Sequence, residues 1–184
     1  MPISPPRESM PARENEWCVR ANRWGEWDGL RRFFAIVSRL GDGVFWYALM
    51  VALVVLDGWK GLAASAHLAA TGVVALSLYK GLKRWTKRPR PFASDTRIRA
   101  WVAPLDEFSF PSGHTLHAVA FSTVAIAYYP PLAFLLVPFA ACVAASRVIL
   151  GLHYPSDVAA ATAIGVVLAS FSLWLVPSSS GILA

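Results

Sequence analysis

The chain has 184 residues, of which 56% are hydrophobic, and a formal charge of +6. Such an apolar fraction and a positive mean hydropathy are high for a soluble domain of this size and indicate a membrane helical bundle. Two widely separated cysteines, Cys18 and Cys142, exclude a disulfide framework and a cysteine-rich metal site. The Lys and Arg residues concentrate in the first 40 positions and in 80–99, flanking apolar segments. That placement suits membrane headgroups or phosphorylated substrates and argues against a nucleic-acid partner.

Residues 1–22 carry Pro2, Pro5, Pro6, Pro11 and several charges without an apolar core, and read as a polar flexible tail. The remainder, 23–184, reads as one membrane domain. Residues 24–40 mix Trp27, Leu30, Phe33, Phe34 and Ile36 with Asp28, Arg31, Arg32 and Arg39, which is too charged for a span and predicts an interfacial amphipathic helix.

Five apolar stretches follow: Val44 to Leu56, Leu62 to Tyr79, Ser112 to Tyr129, Pro131 to Ile149 and Asp157 to Val176. A crossing needs roughly 20 residues. The first stretch is short and extends backwards through residues 33–37, with Gly41 and Gly43 as a break. The expected fold is therefore an all-α integral-membrane bundle of five to six helices. Trp59, Tyr128, Tyr129 and Trp174 fall at span ends, where amphipathic rings anchor. Following the crossings, the 80–111 loop, the start of the third span and residues 147–157 meet on one membrane face.

Three polar segments thus converge. The first holds Lys83, Arg90 and Pro91 within a run that includes Arg84, Lys87 and Arg88; a compact ammonium and a planar guanidinium suit phosphate oxygens, although a basic run beside a span also serves topology. The second is Phe110-Pro111-Ser112-Gly113-His114, with Pro read just inside a helix start and the free amides of that first turn forming an anion site. The third is Ser146, Arg147, His153 and Asp157. There the carboxylate can hold one imidazole nitrogen protonated and leave the other its lone pair, or cap a helix. No Cys or Glu joins His153 and Asp157 as an evident third ligand, which argues against zinc.

In this order and spacing, Lys83, Arg90, Pro91, Pro111, Ser112, Gly113, His114, Ser146, Arg147, His153 and Asp157 resemble the motif trio of the type 2 phosphatidic acid phosphatase family. The match runs over residues 83–157, about two-fifths of the chain. The resemblance implies a metal-independent lipid phosphatase that needs no cofactor and forms a phosphohistidine. In it His153 would attack phosphorus, Asp157 would orient it and His114 would protonate the leaving oxygen. Lys83, Arg90, Ser112, Gly113 and Arg147 would bind the substrate phosphate.

The implied substrate is a lipid phosphate or diphosphate of the undecaprenyl diphosphate, phosphatidylglycerophosphate or phosphatidate type, in a bacterial inner membrane. Alternatives are a non-catalytic lipid-phosphate binder or small transporter and, sharing the same motifs, a vanadate haloperoxidase. Sixteen of the seventeen Lys and Arg residues lie on the motif face, all except Lys60. The positive-inside rule puts that face in the cytoplasm, whereas many bacterial members of the resembled family face the periplasm. His67, Asp106, Glu107 and His117 read as a satisfied interior histidine, two solvated loop acids and a packing histidine, and stand outside the expected site.

Overall fold

The computed structural model of the protein describes residues 10–176, and every regular element within them is helical. The first departs from expectation. Residues 10–22 are not a loose tail but helix α1 (Met10–Asn22), and residues 1–9 lie outside the described residues. The polar side chains of α1 find partners on the rest of the chain. Glu14 accepts from Arg88 Nη2 at 2.7 Å and from the Ser156 amide at 2.8 Å. Asn22 Nδ2 donates to the carbonyls of Arg99 (2.9 Å) and Ile149 (3.0 Å), and its Oδ1 accepts the Arg99 amide. Because these partners lie 70 or more positions away, a local reading of hydropathy sees only a polar segment.

A 3-10 turn (Arg23–Glu26) leads into α2 (Asp28–Arg39), the expected amphipathic helix. It buries Phe34 and Val37 while Trp27, Phe33 and Ile36 stay exposed. A wide turn, Leu40–Val44, then breaks the path at Gly43, whose φ of +132° is a conformation that side-chain-bearing residues rarely adopt.

Helix α3 (Phe45–Thr86) contains the first two expected crossings, separated where Asp57 and Gly58 leave helical geometry. The chain reverses there. A Cβ at Gly61 would stand 1.9 Å from the Leu53 carbonyl oxygen, and Ser65 Oγ donates to the Met50 carbonyl at 2.9 Å. Residues 45–56 and 59–86 are therefore two arms lying against each other. After the short α4 (Pro91–Ser94), the chain forms α5 (Gly113–Tyr128), α6 (Ala133–Ile149) and α7 (Pro155–Trp174). Three stretches are long and apolar enough to cross a membrane: Asp28–Ser94, which includes both arms, Pro130–Ile149 and Pro155–Trp174. The chain is an integral membrane protein.

Helix α5, of 16 residues, is the centre of the bundle and packs on α3, α6 and α7. Small residues permit that approach. A Cβ at Gly165 of α7 would come within 2.9 Å of the Leu116 carbonyl, and one at Gly72 of α3 within 2.8 Å of the Phe121 ring. Trp46, 1% exposed, stacks edge-on with Phe121 and Phe139 at centroid distances of 5.1 and 5.6 Å. In a bilayer the gain from such contacts is close van der Waals packing, not removal of the ring from water.

The far end of the bundle is marked by Tyr129, whose hydroxyl donates to Asp57 at 2.7 Å at the reversal between the arms. His67 lies toward that end, between the Tyr128 hydroxyl (2.9 Å) and Ser172 Oγ (3.0 Å), as a satisfied interior histidine.

Candidate active site

At the opposite end, a cavity of about 420 Å³ is lined by Lys83, Arg90, Gly113, His114, Arg147 and His153. Six of the eight expected site residues therefore share one space. It joins the end of the second α3 arm, the start of α5, the last turn of α6 and the residues leading into α7. The other two stand behind it. Ser112 is fully buried, and its hydroxyl lies 2.9 Å from Thr115 Oγ1 within the same helix turn. Asp157 is also fully buried and backs His153.

Helix α5 begins at Gly113 with Ser112 in the cap position, so Pro111 precedes the helix instead of opening it. The first-turn amides of an α-helix have no partner within the helix. Gly113 and His114, the first residues of α5, line the cavity, and the positive end of a helix dipole favours an anion.

His153 is 1% exposed, and its two ring nitrogens have different neighbours. Nε2 lies 3.3 Å from Arg90 Nη1. Because guanidinium nitrogens only donate, Nε2 must present its lone pair, which leaves the proton of a neutral ring on Nδ1. Nδ1 makes no hydrogen bond and faces Asp157 Oδ2 at 3.7 Å, beyond hydrogen-bond reach but close enough to be oriented by the charge. Asp157 is itself pinned: Oδ2 accepts the Tyr154 amide at 2.8 Å, capping α7, and Oδ1 accepts from Arg88 Nη1 at 2.7 Å. One carboxylate thus caps α7 and faces the His153 ring.

The cations converge on the same space. Arg147, 3% exposed, donates through Nη1 to Ser38 Oγ while its buried Nε has no partner. Arg90 donates through Nη1 to the Leu152 carbonyl at 2.8 Å and through Nη2 to Asp106 Oδ1 at 2.7 Å. Lys83 Nζ donates to the same Asp106 oxygen at 2.6 Å and to the Phe108 carbonyl at 2.6 Å. Asp106, read from sequence as a solvated loop acid, is instead a cavity residue bridging two of the expected phosphate-binding cations. His117 Nδ1 lies 2.9 Å from the Gly113 carbonyl on its own helix, and the residue forms part of the cavity wall.

Three further groups had no spacing signal in the sequence. Arg88, noticed only as part of a basic run, is the cation that meets Asp157 and links it to Glu14 of α1. Ser38 comes from α2, and Asp42 of the wide turn contacts His114 through Oδ1 and Nε2. A single acid or hydroxyl in a connecting segment becomes legible only when the chain has brought it to its partner.

Away from the cations, the cavity continues between the two arms of α3 along Trp46, Met50, Ala69, Val73 and Leu76. One end of the space is polar and cationic, and the other, reaching Met50 and Ala69, is apolar.

The family model of the PAP2 superfamily matches residues 61–180, and the chain belongs to that superfamily. It is 32% identical over 108 residues to the bacitracin transport permease protein BcrC of Bacillus licheniformis, covering 59% of this chain and 53% of that protein. Over 74 residues it is 39% identical to phosphatidylglycerophosphatase B of Escherichia coli K12, covering 37% of this chain and 29% of that one. The chain thus spans about half, or less, of the length of these relatives. Among solved structures, it is similar to LpxE of Aquifex aeolicus (TM-score 0.75, 26% identity, 86% of this chain and 93% of that one). It shares its fold with the transmembrane PAP2-type phosphatidylglycerolphosphate phosphatase of Bacillus subtilis (TM-score 0.72, 23% identity, 89% and 84% of the two chains).

Proposed function

We propose that the protein is a lipid phosphate phosphatase working through a phosphohistidine on His153. The observation that carries this reading is the His153 ring, with its Nε2 lone pair directed to the cation-lined cavity and its Nδ1 backed by buried Asp157. A site that only held an anion would need the cations but not an oriented nucleophile. Membership of the PAP2 superfamily supports the same reading.

In the first step, His153 Nε2 forms a bond to phosphorus as the bond from phosphorus to the lipid oxygen breaks, and His114 gives that oxygen a proton. In the second, His114 takes a proton from water as the water oxygen attacks phosphorus, and the P–N bond breaks to return neutral His153 and inorganic phosphate. Lys83, Arg90, Arg147 and the first-turn amides of α5 hold the phosphoryl oxygens while charge shifts between them. Asp157 sustains the positive charge that His153 gains on attack. Ser112 supports the α5 start from behind, through its bond to Thr115.

The substrate is a phosphate or diphosphate at headgroup level whose apolar chain follows the groove between the α3 arms, of the prenyl or glycerolipid kind. The relative named for phosphatidylglycerophosphate supports the glycerolipid choice, and we place the protein in a bacterial inner membrane. The test is phosphate release by detergent-purified protein, with chelator present, from undecaprenyl diphosphate, phosphatidylglycerophosphate and phosphatidate. Chelator-resistant release that disappears in His153→Ala, with a phosphate trapped on His153 in the wild type, is the expected result. Stoichiometric lipid binding without release would move the protein to the binder or transporter class suggested by the permease-named relative.

A further inference from the structure

The mechanism above asks opposite things of two histidines, and the cavity treats them differently. His153 needs an unprotonated nitrogen, and its carboxylate partner stands 3.7 Å away on the far side of the ring. His114 must arrive with a proton to give, in a cavity already holding Lys83, Arg90 and Arg147. Cations at such short range disfavour an imidazolium. A directly contacting anion opposes that effect.

Asp42 supplies the anion. Its Oδ1 meets His114 Nε2, and both residues line the cavity, with side-chain exposures of 23% and 11%. The turn that presents it is fixed on both sides. A Cβ at Gly41 would press on the γ-carbons of Val143 at 3.3 Å and lie 3.8 Å from His114 Cδ2. One at Gly43 would strike the Tyr47 ring at 2.9 Å, where φ is already +132°. Ser38, one helical turn earlier, ties the same segment to Arg147. The segment lies upstream of residues 61–180, the part matched by the superfamily model.

We propose that Asp42 is the positioning residue of the general acid: it orients His114 by engaging Nε2, sets a negative charge beside the ring against the surrounding cations, and leaves Nδ1 to pass the proton to the departing oxygen. The inference rests on the phosphatase reading of the site. Proton donation matters in proportion to the basicity of the leaving group. An alkoxide leaving from a glycerolipid phosphate requires the proton, whereas p-nitrophenolate leaves without one. A residue that merely supports the fold would affect both substrates alike.

The experiment therefore measures kcat/KM, which reports steps up to departure of the leaving group, for dioctanoyl phosphatidate and for p-nitrophenyl phosphate. Wild type, Asp42→Asn, Asp42→Glu and His153→Ala are compared. Asp42→Asn is expected to lose roughly 100-fold on the alkyl phosphate, within the range of general-acid contributions, and less than about 5-fold on the aryl phosphate. Asp42→Glu should recover part of the alkyl activity. His153→Ala should be inactive on both. Equal losses on the two substrates, or unchanged alkyl activity, would overturn the proposal while leaving the phosphatase reading intact. A wild type that releases phosphate from neither would remove the reading and the proposal together. Asp42→Ser serves as the second neutral variant should asparagine impair folding.

Discussion

Asp106 Oδ1 accepts a hydrogen bond from Lys83 Nζ at 2.6 Å, and the same oxygen accepts one from Arg90 Nη2 at 2.7 Å. Two of the cations proposed to hold the phosphoryl group thus carry a carboxylate of the protein's own. Partial burial alone would raise this carboxyl, but the hydrogen bond and charge of Lys83, with the charge of Arg90, outweigh it and hold Asp106 below the usual carboxylate range. A depressed value means that the contact is fully formed above the ordinary carboxylate pKa and is lost only as pH falls through the lowered one. At neutral pH an incoming phosphate competes with an ionised Asp106. Asp106→Asn should therefore lower the Ki of inorganic phosphate by about 5-fold, the scale of one partly exposed ion pair. An unchanged or raised Ki would show that the carboxylate does not compete for the cations.

Arg88 is the only described cation that directly meets Asp157, at 2.7 Å, and it reaches Glu14 with its other nitrogen. Truncating it strands a fully buried carboxylate, a change that costs about 3–5 kcal/mol in comparable buried pairs. Arg88→Ala should lower both the melting temperature and kcat, the latter at least 10-fold. Glu14→Gln, which leaves the inner pair intact, should cost kcat less than about 3-fold. Thermal melting and single-substrate kinetics on the two variants separate the inner contact from the outer.

The reversal between the α3 arms admits no side chain at Gly61, where a Cβ would overlap the Leu53 carbonyl at 1.9 Å. Gly61→Ala should destabilise the protein by about 1–3 kcal/mol through forced separation of the arms. Gly81 sits in the same helix with nothing within 4 Å of its Cβ position. Gly81→Ala should be neutral or stabilising by up to about 1 kcal/mol. Melting temperatures in one detergent provide the comparison.

The apolar arm of the cavity can be shortened without touching the cations. Val73, 64% exposed and on the cavity wall, is on the second α3 arm well away from the motif residues. Val73→Trp should raise KM for a long-chain lipid phosphate several-fold and leave a short-chain analogue nearly unaffected. Equal KM changes on both chain lengths would place the lipid tail elsewhere.

The bundle and the three converging segments were legible in the sequence because they rest on regularities that survive without coordinates. Apolar runs of span length, Pro before helix starts and fixed spacings such as His153 to Asp157 are properties of short stretches. The groups that complete the site are not. Asp42, Ser38, Asp106 and Glu14 are single polar residues in turns, loops or a polar helix, and each acquires meaning only from a partner at least 16 positions away. The misreading of residues 10–22 has the same origin. Only a small apolar patch, Cys18 and Val19 packed with Ile98 and Tyr154, marks this helix, and its many polar side chains hide it in a local reading. Ser112, expected from motif position to bind the phosphate, is buried with its hydroxyl 2.9 Å from Thr115 Oγ1, a neighbour that motif spacing alone does not reveal.

The exposed rim of the cavity between the α3 arms, formed by Tyr47, Ala69, Val73 and Leu76, belongs to a stretch apolar and long enough to cross a membrane. On the proposed function, a lipid phosphate entering there would diffuse in two dimensions without leaving the bilayer. Turnover should consequently follow the mole fraction of phosphorylated lipid within the bilayer, so that diluting it with inert lipid at constant bulk concentration slows the reaction, whereas diluting the whole vesicle suspension does not.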